Sequence, residues 1–484
     1  MKKNIILIFI LIFIIVIASV INSFNIDLNF EISNNVQTNL PKIYLSGDIG
    51  SFTPEQEEIV VPIQYESDNI NFEGFAKMKL QGSSSRAYDK KNYNIKLYED
   101  ESLDNKLKID LGWGKENKYC LKANWIDKTH SRNIVTANIV ADVQKKYNLF
   151  TDSPNYGAID GFPVELYLND EFWGLYTLNI PKKDWMFAMD ESNPNHLVFS
   201  ANSWSVATQF RTSGDINDWE VEVGLRDEES LEKLMHVIEF VDNSTDEEFR
   251  NNLEDYFNLD SLLNYYVMMQ FGNLTDNGGK NALLVTYDGK LWYASLYDLD
   301  TSWGVNWTGS ELLDPNLMIN LEKNQLWSKL IRCFPNELAD RYFELRNDIF
   351  TKDYVMNKFY TFINSIPNEV YQKEKQKWLN IPGFDTEQIS DFLDKRISVV
   401  DEYFNNMYTE KNIVSAVYEK NIDNSITVKL VSNNKNFIYI GDCSYTYKDT
   451  GTYTLYYSDY LGNINSIETM VSNIDYKRKK MLSY

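Results

Sequence analysis

Asp276, Asn281, Asp298 and Asp300 are the residues of this 484-residue chain whose types and spacing could do chemistry. Asp276 and Asn281 stand five positions apart in the Gly-rich run DNGGKN, and Asp298-Leu299-Asp300 follows after ALLVTYDGKLWYASLY. Three carboxylates and an amide oxygen are hard donors, suited to a divalent cation bridging phosphates and to drawing a proton from a hydroxyl. Phosphoryl transfer of the protein-kinase type uses that order: a base and a metal-binding Asn in D-x-x-x-x-N, then a metal-binding Asp after the next hairpin. On this reading Asp276 is the base, Asn281 and Asp298 hold metal, and Asp300 is an additional or supporting ligand. Two other readings stay open, an ordinary polar turn and a calcium loop. An EF-hand loop started at Asp298 wants Gly sixth and Glu twelfth, where Trp303 and Gly309 stand.

The elements that must position these groups follow from local patterns. LLNYYVMMQF, ending at Gly272, predicts a buried helix just before the loop. ALLVTY and KLWYASLY, joined by Asp288-Gly289, predict a β-hairpin. Upstream, FEGFAKMKLQG and KNYNIKLYED predict two strands around a polar connection, Ser83–Lys90. The first of them alternates Phe75, Lys77 and Lys79 with Ala76, Met78 and Leu80. A strand at Tyr119–Trp125, a helix over Ser131–Tyr147 and a hairpin at 163–180 turning at Asn169-Asp170 come next. Helical segments are expected at Ser230–Val241, Thr245–Tyr256, Ser261–Phe271, Gln325–Cys333, Leu338–Ile349, Val355–Ile366 and Glu387–Tyr403. Beyond about Glu410 the periodicity becomes that of short alternating strands.

Composition narrows the classes. The net charge of −23 disfavours general nucleic-acid binding and anionic lipid surfaces. Cys120, Cys333 and Cys443 are too few and too scattered for a disulfide framework, and with three His there is no Cys/His cluster of metal-ligand spacing. Lys2 and Lys3 before the apolar run Ile5–Ile21 predict a signal peptide or an uncleaved anchor through residues 4–21, hence an exported protein, secreted or anchored to the outer face of the cytoplasmic membrane.

Four ordered blocks carry a resemblance: LQGSSSRAYDKKNYNIKLY at 80–98, DKTHSRNIVTANIVADV at 127–143, ELYLNDEFWGLYTL at 165–178 and the segment 276–304. Together they resemble the CotH kinase family (spore coat protein H), atypical protein kinases. The resemblance implies an α+β, two-lobed protein-kinase-like domain with a β-rich N-lobe and a helical C-lobe. It also implies ATP, magnesium or manganese, and a secreted, coat or cell-surface protein substrate phosphorylated on Ser or Thr. By the match, Ser83, Ser84, Ser85 and Arg86 turn over the phosphates. Lys91 or Lys96 pairs with them, with Lys91 preferred. Tyr176 stacks on adenine or serves as a core aromatic, and Arg132 orders the fold. The resemblance implies a Glu shortly after the Gly-Leu-Tyr block, where this chain has Asn179-Ile180-Pro181-Lys182-Lys183-Asp184, leaving Glu165 and Asp184 as substitutes for an acidic partner. The expected organisation is a leader at 1–24, the kinase domain at 25–408 and a small Ig-like β-module at 409–484. The rival is a non-catalytic cell-surface protein, either a pseudokinase scaffold or a glycan-binding module, favoured by 11 Trp and 32 Tyr.

Overall fold

Strands β1 (Lys42–Leu45), β2 (Ile59–Glu66), β3 (Asn71–Gln81) and β4 (Asn92–Tyr98) precede a short ribbon, β5 (Ile109–Asp110) and β6 (Lys115–Glu116), and then β7 (Lys118–Lys122). Helix α1 (Arg132–Lys146) intervenes before β8 (Gly161–Leu168) and β9 (Glu171–Asn179). In this computed structural model seven of these strands close into a barrel in the order β1-β2-β3-β4-β7-β9-β8. Closure depends on β1, which pairs antiparallel with β2 through Lys42↔Glu66 and parallel with β8 through Lys42↔Glu165. One face of every strand is apolar and points inward: Ala76, Met78 and Leu80 from β3 meet Ile95, Leu97, Leu121, Val164 and Leu166. Each of these side chains other than Ala76, fully buried, contributes roughly 1.5–3 kcal/mol.

A second sheet, in the order β11-β10-β12-β13, joins β10 (Leu197–Ala201) and β11 (Trp219–Val223) to the hairpin β12 (Ala282–Thr286) and β13 (Trp292–Leu296). Around it lie α2 (Glu228–Asn243), α3 (Asp246–Asn252), α4 (Leu259–Gly272), α5 (Gln325–Cys333), α6 (Pro335–Arg346), α7 (Lys352–Asn364), α8 (Asn368–Lys377) and α9 (Thr386–Asn405). Helix α4 buries every residue from Ser261 to Gly272, as an all-round apolar helix must. Strands β14 (Val414–Lys420), β15 (Ile426–Ser432) and β17 (Ser444–Tyr447) form a three-stranded sheet. Strands β16 (Ile438–Tyr439), β18 (Gly451–Ser458) and β19 (Ile464–Val471) form another. Ile426, Val428, Leu430, Leu455 and Val471 make a small core from these two sheets.

The structure describes residues 39–47, 49, 58–82, 84–408, 414–423, 425–432, 438–439, 444–458 and 464–471. The chain divides into Met1–Asn39 and Leu40–Tyr484, and all described residues but Asn39 belong to the second unit. The leader expected at 1–24, Ser83 and Cys443 lie outside the described residues. No described helix is long and apolar enough to cross a membrane.

The two-lobed kinase-like architecture expected from the resemblance does not form. The chain is mixed α+β, with a closed seven-stranded barrel, several small sheets and nine α-helices among the described residues. Period-two alternation identifies strands but not their partners, and the β1–β8 pairing that closes the barrel spans more than a hundred residues. Among the elements added to the sequence reading, three pack near the site or the barrel. Strands β10 and β11 flank the hairpin, and α8, NEVYQKEKQK, buries only Val370 and Glu374 and so shows no apolar stripe.

Candidate active site

The loop after α4 is fixed from below by one buried amide. Asn277 lies in a 3-10 turn, Thr275–Gly278, and its Nδ2 donates to the carbonyls of Asn281 (3.3 Å) and Tyr297 (2.9 Å). Tyr265 Oη in turn donates to the Asn277 carbonyl at 2.6 Å. The amide therefore ties the Asp276–Asn281 loop to the residue before Asp298. Gly278 and Gly279 do not serve the loop through left-handed backbone, since neither has positive φ. Their role is close packing: a Cβ on Gly279 would sit 2.5 Å from Trp204 Cε3, and one on Gly278 would sit 2.7 Å from the same indole.

The Asp298–Asp300 turn is held by α1. Asp127 accepts the backbone N–H of Ser131 and Arg132 at the start of that helix. Arg132, fully buried, donates to the Ser302 carbonyl (2.9 Å) and to Gln388 Oε1 (2.6 Å), so it orders the fold. Asn133 Oδ1 accepts the Leu299 N–H at 2.9 Å, and Thr136 Oγ1 accepts from Trp303 Nε1 at 2.8 Å. Asn281 (φ 55°) and Asp298 (φ 56°) are both left-handed, a conformation that non-glycine residues keep only where surroundings impose it.

One cleft of about 760 Å³ brings Asp276, Asn281, Asp298 and Asp300 together beneath the outer wall of the barrel. Eight lysines and Arg86 line it against seven carboxylates, so the cleft is locally cationic in an acidic chain. Lys122, at the end of β7 and nearly buried, donates to Asp298 Oδ1 at 3.0 Å. Burial works to raise the Asp298 pKa, but Lys122, with Lys182 and Lys280, holds it below the usual carboxylate value. Burial, then the Asp298 charge, pushes Asp300 up to about 7. Asp276 is also raised, by burial and by Asp298, against the pull of Lys280, whose Nζ lies 3.8 Å away. Two carboxyls raised beside an ionised third form a pocket that gains from an added cation. Among the described residues no group of three or more His, Cys, Asp or Glu is arranged as a metal cage. The oxygen donors fit magnesium in its phosphate-bridging mode, which needs only one or two carboxylates. The unpartnered buried atoms Arg86 Nε and Thr301 Oγ1, both on cleft residues, fit a polar ligand there.

Of the other expected residues, Ser85 and Arg86 line the cleft, after Gly82 at φ +100°. The backbone of Ser84 opens the 3-10 turn Ser84–Ala87. Lys91 is not brought to the cleft: its Nζ donates to the carbonyls of Arg86 (2.7 Å) and Tyr88, closing the turn on itself. Tyr176 is fully buried in the barrel core, 6.4 Å from the ring of Tyr93, with no face open to a nucleobase. Lys96 does line the cleft. Glu165 pairs with Lys373 and Asp184 with Lys118.

Glu222, on β11, is a cleft carboxylate that the sequence reading missed. It holds Lys182 (2.7 Å) and Lys183 (3.0 Å), and Lys182 Nζ lies 5.1 Å from the Tyr297 ring centroid. Lys122 and Lys280 were missed too; Lys280 stands inside DNGGKN and could have been marked from its spacing to Asp276. Cys120 is buried, its thiol pushed up to about 11 by burial, and therefore inert.

A family model described as CotH kinase protein matches residues 78–406. No curated protein matches the chain at a significant level.

Proposed function

The chain belongs to the CotH kinase protein family, and from that premise we propose that it transfers the γ-phosphoryl group of ATP to a Ser or Thr hydroxyl of a protein. The observation that carries this reading is the convergence of Asp276, Asn281, Asp298 and Asp300 in one lysine-lined cleft. A function rests on such a site rather than on a fold, and the barrel does not count against it.

Asn281 and Asp298, with Asp300 beside them, would hold magnesium or manganese, which neutralises phosphate charge when bound. Asp276 orients the acceptor hydroxyl and takes its proton as the oxygen–phosphorus bond forms and the β–γ bridging bond breaks, leaving ADP. The raised pKa of Asp276 suits it to that role. Lys122, Lys182 and Arg86 supply charge toward the phosphates. Lys182 is kept in place by Glu222, so that most of the rate comes from positioning and preorganised electrostatics. In this proposal residues 1–24 export the chain, and 409–484 act as a separate β-module.

Incorporation of labelled γ-phosphate with magnesium or manganese tests the reading, using residues 25–484 beside Asp276→Ala and Asp298→Ala. Metal-dependent labelling lost in both variants supports it. No labelling of any Ser-rich protein, with no ATP binding by calorimetry, sinks it.

A further inference from the structure

Three lysines stand directly opposite one another across adjacent barrel strands. The register pairs Lys77 of β3 with Lys96 of β4, and Lys96 with Lys118 of β7. Lys79 lies one row along the same face, two residues from Lys77. All four line the cleft. Like charges placed directly opposite in a sheet destabilise it, so nothing in folding asks for this row. The ends of the row are compensated: Lys77 meets Glu58 at 2.5 Å, and Lys118 meets Asp184 at 2.8 Å and Glu191 at 3.1 Å. Among the described residues, Lys96 at its centre and Lys79 beside it pair with no carboxylate.

The row is also displaced from the reacting groups. Lys118 and Lys122 lie on one face of β7, four residues apart, and only Lys122 reaches Asp298. At about 3.3 Å per residue the row is roughly 13 Å along the strand from the acid cluster. Lys122, Lys182 and Lys280 already stand at that cluster to meet phosphates, which leaves Lys96 and Lys79 for a second anion. An extended polypeptide spans the same distance in about four residues.

We infer that the Lys77–Lys96–Lys118 row, with Lys79, docks an acidic stretch of the acceptor polypeptide, about four residues from the Ser or Thr that enters the cluster. This names the substrate class for the phosphotransfer proposed above and rests on that reading. The overall charge of −23 repels such a partner at long range. Beyond about 8 Å that field is screened at physiological ionic strength, and within the cleft the unpaired lysines dominate. Recognition is thus local and specific rather than a matter of steering.

The test uses two fluorescein-labelled Ser peptides of equal length, one carrying Glu three to five residues from the Ser on both sides and the other carrying Gln there. Binding to residues 25–484 is read by anisotropy without nucleotide, and KM for peptide and for ATP is read in phosphotransfer. The wild type should bind the Glu peptide at least tenfold more tightly, with the preference collapsing toward 0.5 M salt. Lys77→Ala with Lys79→Ala should cut the preference at least threefold and leave the Gln peptide and the ATP KM unchanged. Lys77→Arg with Lys79→Arg should retain it. Equal binding of the two peptides by the wild type overturns the inference. A raised ATP KM with unaltered peptide preference also overturns it, and assigns the row to the nucleotide. If no peptide is phosphorylated, the anisotropy result alone decides the row, while the phosphotransfer reading fails separately. Exposed strand positions such as Lys79 tolerate alanine, and an unchanged thermal midpoint confirms that the variants fold.

Discussion

Lys122 Nζ and Asp298 Oδ1 lie 3.0 Å apart across 176 positions of sequence, joining the end of a barrel strand to the turn after the β12–β13 hairpin. Side-chain exposures of 8% and 31% make it a partly buried pair that keeps Asp298 ionised while Asp300 is pushed toward neutrality. Asp298→Asn removes the anion and leaves the Lys122 cation uncompensated. It should abolish metal-dependent labelling by at least 100-fold and cost about 2 kcal/mol, less than a fully buried pair. Denaturant midpoints beside the activity assay separate the two effects.

Asn277 is the second lever. Its Nδ2 serves two carbonyls that have no other side-chain donor, those of Asn281 and Tyr297. Asn277→Ala should cost about 1–2 kcal/mol, since it leaves the buried Tyr297 carbonyl without its donor while the Asn281 carbonyl keeps the Tyr297 N–H at 3.2 Å. Because it frees the backbone on both sides of the cluster, kcat should fall more than stability alone explains at a temperature where the variant remains folded.

Gly279 gives a steric prediction. Its φ of −167° is open to any residue, so Gly279→Ala is resisted only by the Trp204 indole 2.5 Å from the new Cβ. Phosphotransfer should fall about 10- to 100-fold with little change in the unfolding midpoint. Adding Trp204→Ala should restore part of the rate. No restoration would place the effect elsewhere.

Acid stability tests the link between barrel and helices. Glu374 of α8 accepts from Lys90 Nζ at 2.6 Å and from the Leu175 N–H at 2.7 Å, inside the barrel wall. Burial works to raise its pKa, but Lys90 and His130 hold it down at about 2, against 4.5 unfolded. A depressed carboxyl contributes stability that is fully present above about pH 4.5 and is lost as pH falls through about 2. His130, buried and depressed below 6.5, acts in the same direction, since the unfolded chain takes up its proton first. Glu374→Gln should therefore cost on the order of 3 kcal/mol at pH 7, with the gap from wild type closing between pH 4.5 and 2. Urea unfolding at stepped pH measures it.

By itself the sequence determined the local elements and the core of the site. Alternation in FEGFAKMKLQG set which β3 side chains turn inward. The apolar run before Gly272 specified a buried helix, and Asp288-Gly289 specified the hairpin. With those fixed, Asp276, Asn281 and Asp298 had to emerge near one another, because a short loop and a hairpin connect them. Tertiary structure decided everything that depends on long-range pairing. Parallel pairing of β1 with β8 closes the barrel, which buries Tyr176 and takes away its expected part as an adenine platform. Neither Lys122 nor Glu222 carries any local mark of its partner, and the lysine row exists only in the register of β3, β4 and β7. The helix that delivers Glu374 to Lys90 is too polar for periodicity to reveal it. Side-chain direction is set by neighbours a few residues away and is legible in the chain. Which distant group a side chain meets is set by strand register and packing, which no short stretch of sequence encodes.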